Sequence, residues 1–442
     1  METLIKAAQL ILCLSLLVVL HEFGHFFFAK LFKCRVEKFY LFFNPKFSLF
    51  KKQIGETEYG IGWIPFGGYV KISGMIDESM DKEQMKKDPE PWEFRSKPAW
   101  QRLLIMIGGV LMNIITALAI YIGMSYSYGK SYIKNDDVKY GYQYSTLAQE
   151  MGFKNGDKII NINGKVYEDM SEIPMAFIFE DVSYATIERD GKQQELAFDF
   201  EYKSTMLNSK ESFISPRIYT RTDSVVTGMP AHKAGLQNKD SIISVNSQPV
   251  LFADQISSAI ANNTNGFKVE YIRDSSGVKL TKTATIIPED GKIGVLYGGF
   301  DTKYYPITVK KYTFLEAIPQ GAKLAIAAIK DYFKQLKIIF TPETEAYKQV
   351  GSVFSMGNFF PAAWDWARFW SITAIFSVML AVLNIMPIPA LDGGHVLFLL
   401  YEIITRRKPS DKFMEVMQTI GMFILLAIMV LALGNDILRM FK

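Results

Sequence analysis

The sequence predicts a mixed fold: a polytopic α-helical membrane protein of four spans, carrying two β-rich domains and a cytoplasmic-side β hairpin. Three observations predict it. Four uncharged or nearly uncharged apolar windows, 7–29, 103–124, 369–391 and 416–435, each approach the ~20 residues that cross hydrocarbon. Between the second and third, the stretch Ala148–Gly164 (AQEMGFKNGDKIINING) recurs at an offset of 83 as Ala231–Ser247 (AHKAGLQNKDSIISVNS), the mark of a duplicated domain. Between the first and second, Glu56–Gly74 (ETEYGIGWIPFGGYVKISG) alternates β-formers with glycines.

The elements follow in order. Residues 1–30 hold the first span, whose apolar run is broken by His21, Glu22 and His25. A cleaved signal peptide is disfavoured, because no small-x-small site follows Leu20. Residues 31–102 form a loop with the hairpin, ending in the Trp- and Arg-containing Pro91–Arg102, suited to a membrane interface. The second span occupies 103–124. Two β-rich domains are expected at 125–213 and 214–300. Each has a short helix ending at a glycine (Gly152, Gly235), a turn with Asp157 or Asp240, a strand beginning Ile-Ile, and a later hairpin. A connecting region, 301–366, contains Ala322–Phe340, where Lys323, Lys330, Lys334 and Lys337 make one helical face basic; it suits an outer membrane surface or a soluble core. The third span is placed at 367–400, a short loop at 401–415, and the fourth span with the C-terminus at 416–442.

Lys and Arg crowd Lys30–Arg102 and the loop around Arg406, Arg407, Lys408 and Lys412, so both face the cytoplasm and the repeats lie outside. The net charge of +4 is small for 442 residues, and with no nucleic-acid motif it excludes that class of partner. Cys13 and Cys34 lie too far apart along one helix direction to pair.

The chemistry sits in His21-Glu22-Phe23-Gly24-His25. Histidines at i and i+4 share a helix face and can both reach one Zn²⁺, with the adjacent glutamate placed to accept a proton from the water that such a metal activates. Ionisable groups in an apolar span cost on the order of several kcal/mol unless paired or coordinated, so they are functional candidates by default. A catalytic zinc takes three protein ligands. The third is sought in Asn384-Ile-Met-Pro387-Ile-Pro389-Ala-Leu-Asp392-Gly393-Gly394, where prolines and glycines break a helix at membrane depth, a backbone tolerated only against a protein-walled cavity. Asp392 and His395 both offer a donor there.

HEFGH in the first span, NIMPIPALDGGH in the third, Gly67-Gly68-Tyr69-Val70-Lys71, Leu433-Gly434-Asn435-Asp436 and the duplicated region together resemble the site-2 protease family of intramembrane zinc metalloproteases, in its bacterial regulator of sigma-E protease branch. The repeats resemble circularly permuted PDZ domains, which add an extended peptide to a sheet edge. The resemblance implies zinc on His21, His25 and Asp392, Glu22 as base, and substrate placement by Asn384 and Pro387. It implies a β element at Gly67, Gly68 and Tyr69 that holds substrate as an added strand. It implies single-span membrane protein substrates of the anti-sigma-factor type, remnant signal peptides, peptide or protein ligands for the PDZ-like domains, and a place in the bacterial inner membrane. Two departures stand out: Gly109-Val110 before Asn113, where relatives often have Gly-Pro, and Gly351-Ser352-Val353 before the third span. The rival from another class is a membrane-anchored peptide-binding scaffold with a vestigial metal site.

Overall fold

The computed structural model describes residues 1–75, 88–199, 202–209, 211–263, 265–275, 277–297 and 305–441. The chain divides into two compact units, one of residues 1–129 with 311–442 and one of residues 130–310.

The first unit opens with α1 (Glu2–Leu31). Its buried residues Gln9, Cys13, Leu17, Gly24, His25 and Ala29 fall largely four apart, which makes one stripe down the helix. Four strands follow: β1 (Val36–Phe43), β2 (Phe50–Ile54), β3 (Thr57–Ile61) and β4 (Ile64–Ile72), in the sheet order β2-β3-β1-β4. The hairpin expected across Glu56–Gly74 does not form. β3 and β4 do not pair; β1 lies between them, parallel to β3 and antiparallel to β4. The tight hairpin is instead β2–β3, turning at Gly55 and Glu56. Alternation revealed strands but not partners, because β1 brings the buried Val36 and Tyr40 and pairs along both its edges. Next comes α2 (Ala99–Ser127). It meets α1 backbone to backbone: a Cβ on Gly24 would stand 2.1 Å from the Gly108 carbonyl oxygen, and one on Gly108 would stand 2.5 Å from that of Gly24. Small residues permit this approach of helices in lipid.

The second unit contains the duplication as structure. The first copy runs β5 (Lys130–Ile133), β6 (Tyr142–Tyr144), α3 (Thr146–Glu150), β7 (Lys158–Ile162), α4 (Glu172–Phe179), β8 (Tyr184–Arg189), β9 (Lys192–Ala197), α5 (Tyr202–Asn208) and β10 (Ile214–Pro216). The second runs β11 (Thr222–Val225), α6 (Pro230–Lys233), β12 (Ser241–Val245), β13 (Gln248–Pro249), α7 (Ala253–Asn262), β14 (Phe267–Ser275), β15 (Val278–Ile286) and β16 (Val295–Tyr297). β17 (Ile307–Lys310) then returns to pair with β5. In each copy a central three-strand meander forms, β7-β8-β9 or β12-β14-β15, and a separate two-stranded ladder forms, β6 with β10 or β11 with β16.

A buried clasp repeats as well. Arg189 binds both Asp157 oxygens at 2.7 and 2.6 Å and the Gly152 carbonyl at 2.8 Å. Arg273 does the same to Asp240 at 2.8 and 2.7 Å and to Gly235 at 2.8 Å. The two aspartates were legible as turn residues; their arginines stand in the hairpins and gave no separate signal. Since Asp240 is 1% exposed, Arg273→Ala strands a buried carboxylate and is expected to destabilise the second copy by about 3–5 kcal/mol, readable in chemical denaturation.

Back in the first unit, α8 (Phe314–Ile339) starts at a Thr313–Glu316 capping box. It contains the helix expected over Ala322–Phe340. Its small buried residues Ala317, Gly321 and Ala325 form a stripe against α2, with Gly321 seated on the backbone of Ile122. The third apolar segment is two helices, α9 (Trp366–Ile385) and α10 (Asp392–Thr405), separated by the proline-rich turn. The last helix is α11 (Asp411–Met440). Among the described residues four helical stretches are long and apolar enough to cross a membrane: Glu2–Leu31, Ala99–Ser127, Trp366–Ile385 and Lys412–Arg439.

Candidate metal centre

The α-helical pitch brings His21 and His25 to one face of α1, and the α9–α10 turn carries Asp392 to meet them at the first position of α10. Gly393 and Gly394 make the turn tight enough: a Cβ on Gly393 would stand 2.1 Å from the Met386 carbonyl oxygen, and one on Gly394 would stand 2.7 Å from that of Ile388. Ala390 takes φ 74° on the way. The three donors converge. His21 Nε2 and His25 Nε2 are 3.2 Å apart, and each is 3.3 Å from Asp392 Oδ2.

The second helix supports both imidazoles. His25 Nδ1 donates to the Ile105 carbonyl at 2.8 Å, which leaves its Nε2 lone pair facing the cluster. His21 Nδ1 lies 3.1 Å from the Asn113 amide nitrogen, while Asn113 Oδ1 is buried without a partner. A metal on His21 Nε2 requires a proton on Nδ1, and turning the Asn113 amide gives that proton an acceptor and the orphaned oxygen a donor. Gly109 leaves the room: a Cβ there would stand 2.5 Å from His21 Cε1 and from His25 Nε2. Sequence reading assigned no role to Ile105, Gly109 or Asn113. The only available signal was a polar asparagine and a glycine pair inside an apolar span. Asn113→Leu is expected to lower metal affinity about 10–100-fold, measured by competition with a chelating dye.

Glu22 lies outside the donor set and faces β4. A Cβ on Gly68 would come within 3.7 Å of Glu22 Cγ, and the carboxylate interacts with the backbone N–H of Val70. Gly67 and Tyr69 alternate to the other face of β4. Tyr69 stacks on Tyr40 and Phe43 with centroids 5.4 and 6.3 Å away, and donates to Asn44 Oδ1 at 2.9 Å. Burial first, then neighbouring Tyr40, pushes its phenol up to about 12, so it is a neutral donor. Asn384 is half-buried on the last turn of α9, and Pro387 is exposed in the turn that follows. His395 is not brought to the cluster: its Nε2 lies 3.0 Å from Gln418 Nε2 of α11.

Four-coordinate zinc with bonds of about 2.0–2.1 Å sets its ligand atoms about 3.3 Å apart, and the three donors stand at that spacing. Asp392 Oδ2 is buried and accepts no hydrogen bond of good geometry. The nitrogen and carboxylate set therefore fits zinc. Comparison with known proteins agrees with that chemistry. A regulator of sigma E protease from Haemophilus influenzae is 28% identical over 457 residues, covering all of both chains. The regulator of sigma-E protease RseP of Escherichia coli is 26% identical over 452 residues, 98% of each chain. A protein of Clostridium perfringens whose name carries the words zinc metalloprotease is 28% identical over 434 residues, 97% of each. With the family model for peptidase family M50 matching residues 9–428, from the first apolar helix into the last, this chain is a zinc metalloprotease belonging to peptidase family M50.

Proposed function

We propose that the chain cleaves the transmembrane segments of single-span membrane proteins, with His21, His25 and Asp392 holding zinc and Glu22 moving the proton. The observation that carries this is the three-donor cluster, two of whose donors stand on a helix long and apolar enough to cross a membrane. Zinc, when bound, polarises the scissile carbonyl and brings the pKa of water to about 7. Glu22 accepts a proton from the attacking water and returns it to the leaving amine; the Val70 N–H orients its carboxylate. Ile105 and Asn113 fix the imidazoles, and Gly109 keeps the space beside them open.

A peptide bond in an intact helix is shielded by its own hydrogen bonds, so the substrate must be extended first. β4 is an edge strand beside α1. It offers a ladder to an extended segment, with Gly68 allowing close approach to Glu22. In this reading Asn384, Pro387, Gly67 and Tyr69 help to place the substrate. The two copies act as PDZ-like domains outside the bacterial inner membrane and filter substrates by size. In this reading anti-sigma-factor-type proteins and remnant signal peptides are the substrates; two relatives carry the name regulator of sigma-E protease.

The test is cleavage of a model single-span protein by the purified full-length enzyme in detergent. Cuts inside the apolar segment, lost on chelation and restored by zinc, are expected; cuts confined to its soluble flanks would overturn the reading.

A further inference from the structure

A cavity of about 530 Å³ lies between α7, the β12–β13 hairpin, Arg217 of the link that enters from the first copy, and Asn155 of the first copy's α3–β7 turn. Among the described residues none from β11, β14, β15 or β16 lines it. Its size falls within the range of about 300–1,000 Å³ that small-molecule sites occupy.

The walls are polar without net charge. Arg217 gives Nε to Asp254 Oδ1 at 3.1 Å and Nη2 to Oδ2 at 2.8 Å, with its guanidinium 4.0 Å over the Phe252 ring. No other charged side chain stands among the described lining residues. Beside this pair lie two amides whose oxygens are already engaged. Asn155 Oδ1 accepts from the Tyr144 N–H at 2.8 Å, and Gln255 Oε1 accepts from those of Leu251 and Phe252 at 2.8 and 3.0 Å. The amide nitrogens of both, and Arg217 Nη1, meet no acceptor among the described residues.

The first copy closes the same place. The offset of 83 that aligns the repeats sets Lys165 against Gln248, Tyr167 against Val250 and Glu180 against Asn263. The register holds this far, since Ile173 and Ile256 are equally inaccessible and Glu180 and Asn263 each cap the end of their helix. Tyr167 is 5% exposed and donates to Glu180 Oε2 at 2.9 Å, while Lys165 reaches Glu180 Oε1 at 3.0 Å and lies 4.4 Å over the Tyr167 ring. In the second copy all three of these groups are exchanged for shorter or uncharged ones, and a hollow stands open.

We infer that this cavity is a binding site for a neutral saccharide bearing acetamido groups. The balanced Arg217–Asp254 pair sets an acceptor beside a donor, which suits two neighbouring ring hydroxyls. The amide nitrogens of Asn155 and Gln255 supply donors for an acetamido carbonyl, and Pro249 and Val250 offer an apolar patch to the C–H face of a ring. Such polar groups leave water only where partners of this kind replace it. An added peptide strand does not fit: the bordering edge strand, β13, is two residues long, and one of them, Pro249, has no N–H to give. The inference is independent of the zinc cluster and adds a second ligand to the molecule.

The experiment titrates the full-length protein, held in a phosphocholine detergent that brings no sugar of its own, with N,N′-diacetylchitobiose and with cellobiose by calorimetry. Hydrogen exchange then maps the site. Binding of the acetylated sugar is expected to be at least tenfold tighter, with protection gained around Asn155, Arg217 and α7. Val250→Tyr combined with Gln248→Lys and Asn263→Glu copies the closed arrangement of the first copy and is expected to abolish binding. Ser258→Met, which places the first copy's matched residue on the cavity wall, is expected to weaken binding at least tenfold and keeps the test decisive if the triple variant fails to fold. Equal binding of the two sugars would overturn the acetamido assignment. No binding of either sugar, or binding unchanged in a folded variant, would overturn the site.

Discussion

Replacing Glu22 with glutamine is expected to slow cleavage of a single-span substrate by about 100- to 10,000-fold, the range a positioned general base contributes. The amide keeps the shape of the side chain and its place beside β4 but cannot take a proton. Zinc content should stay at its unaltered value, because Glu22 is not among the converging donors. Measuring turnover and bound metal on the same preparation separates the two roles. A variant that loses zinc along with activity would make Glu22 a ligand or a structural support, and one that retains full turnover would remove it from the mechanism.

Asp392→Ala is expected to abolish both zinc retention and cleavage. It leaves two imidazoles where a catalytic site needs about three protein donors. His395 remains in place in this variant, three residues away, so the measurement also decides between the two residues the sequence offered. Zinc retained in Asp392→Ala and lost in His395→Ala would reverse the assignment. The geometry argues for the first result, since His395 turns toward Gln418 while Asp392 Oδ2 stands 3.3 Å from both histidine nitrogens.

What the sequence made legible was local. Spans announce themselves by unbroken hydropathy, the two histidines by helical spacing, and the repeat by self-similarity. Proline and glycine around Asp392 foretold a break, and the structure has one between Ile385 and Asp392. What stayed hidden depends on partners far along the chain. β1 gave no reason to expect that it would enter between β3 and β4. Gly109 and Asn113 look like ordinary span residues until α2 is laid against α1, and only then is their effect on the histidines visible. The lysines of α8 mark one face, and the small residues opposite them, which gave no such signal, pack against α2.

The contact of Gly24 with Gly108 has a mechanical consequence. Where two backbones touch without side chains between them, there is nothing to yield, so α1 and α2 turn and tilt as a single plank. Two of the three candidate metal donors and both imidazole supports stand on this pair of helices. Asp392 alone arrives on another segment, the bend between α9 and α10. The strength of metal binding is thereby a strain gauge: whatever shifts α9 and α10 against the plank is felt at one bond, and metal off-rates would record it.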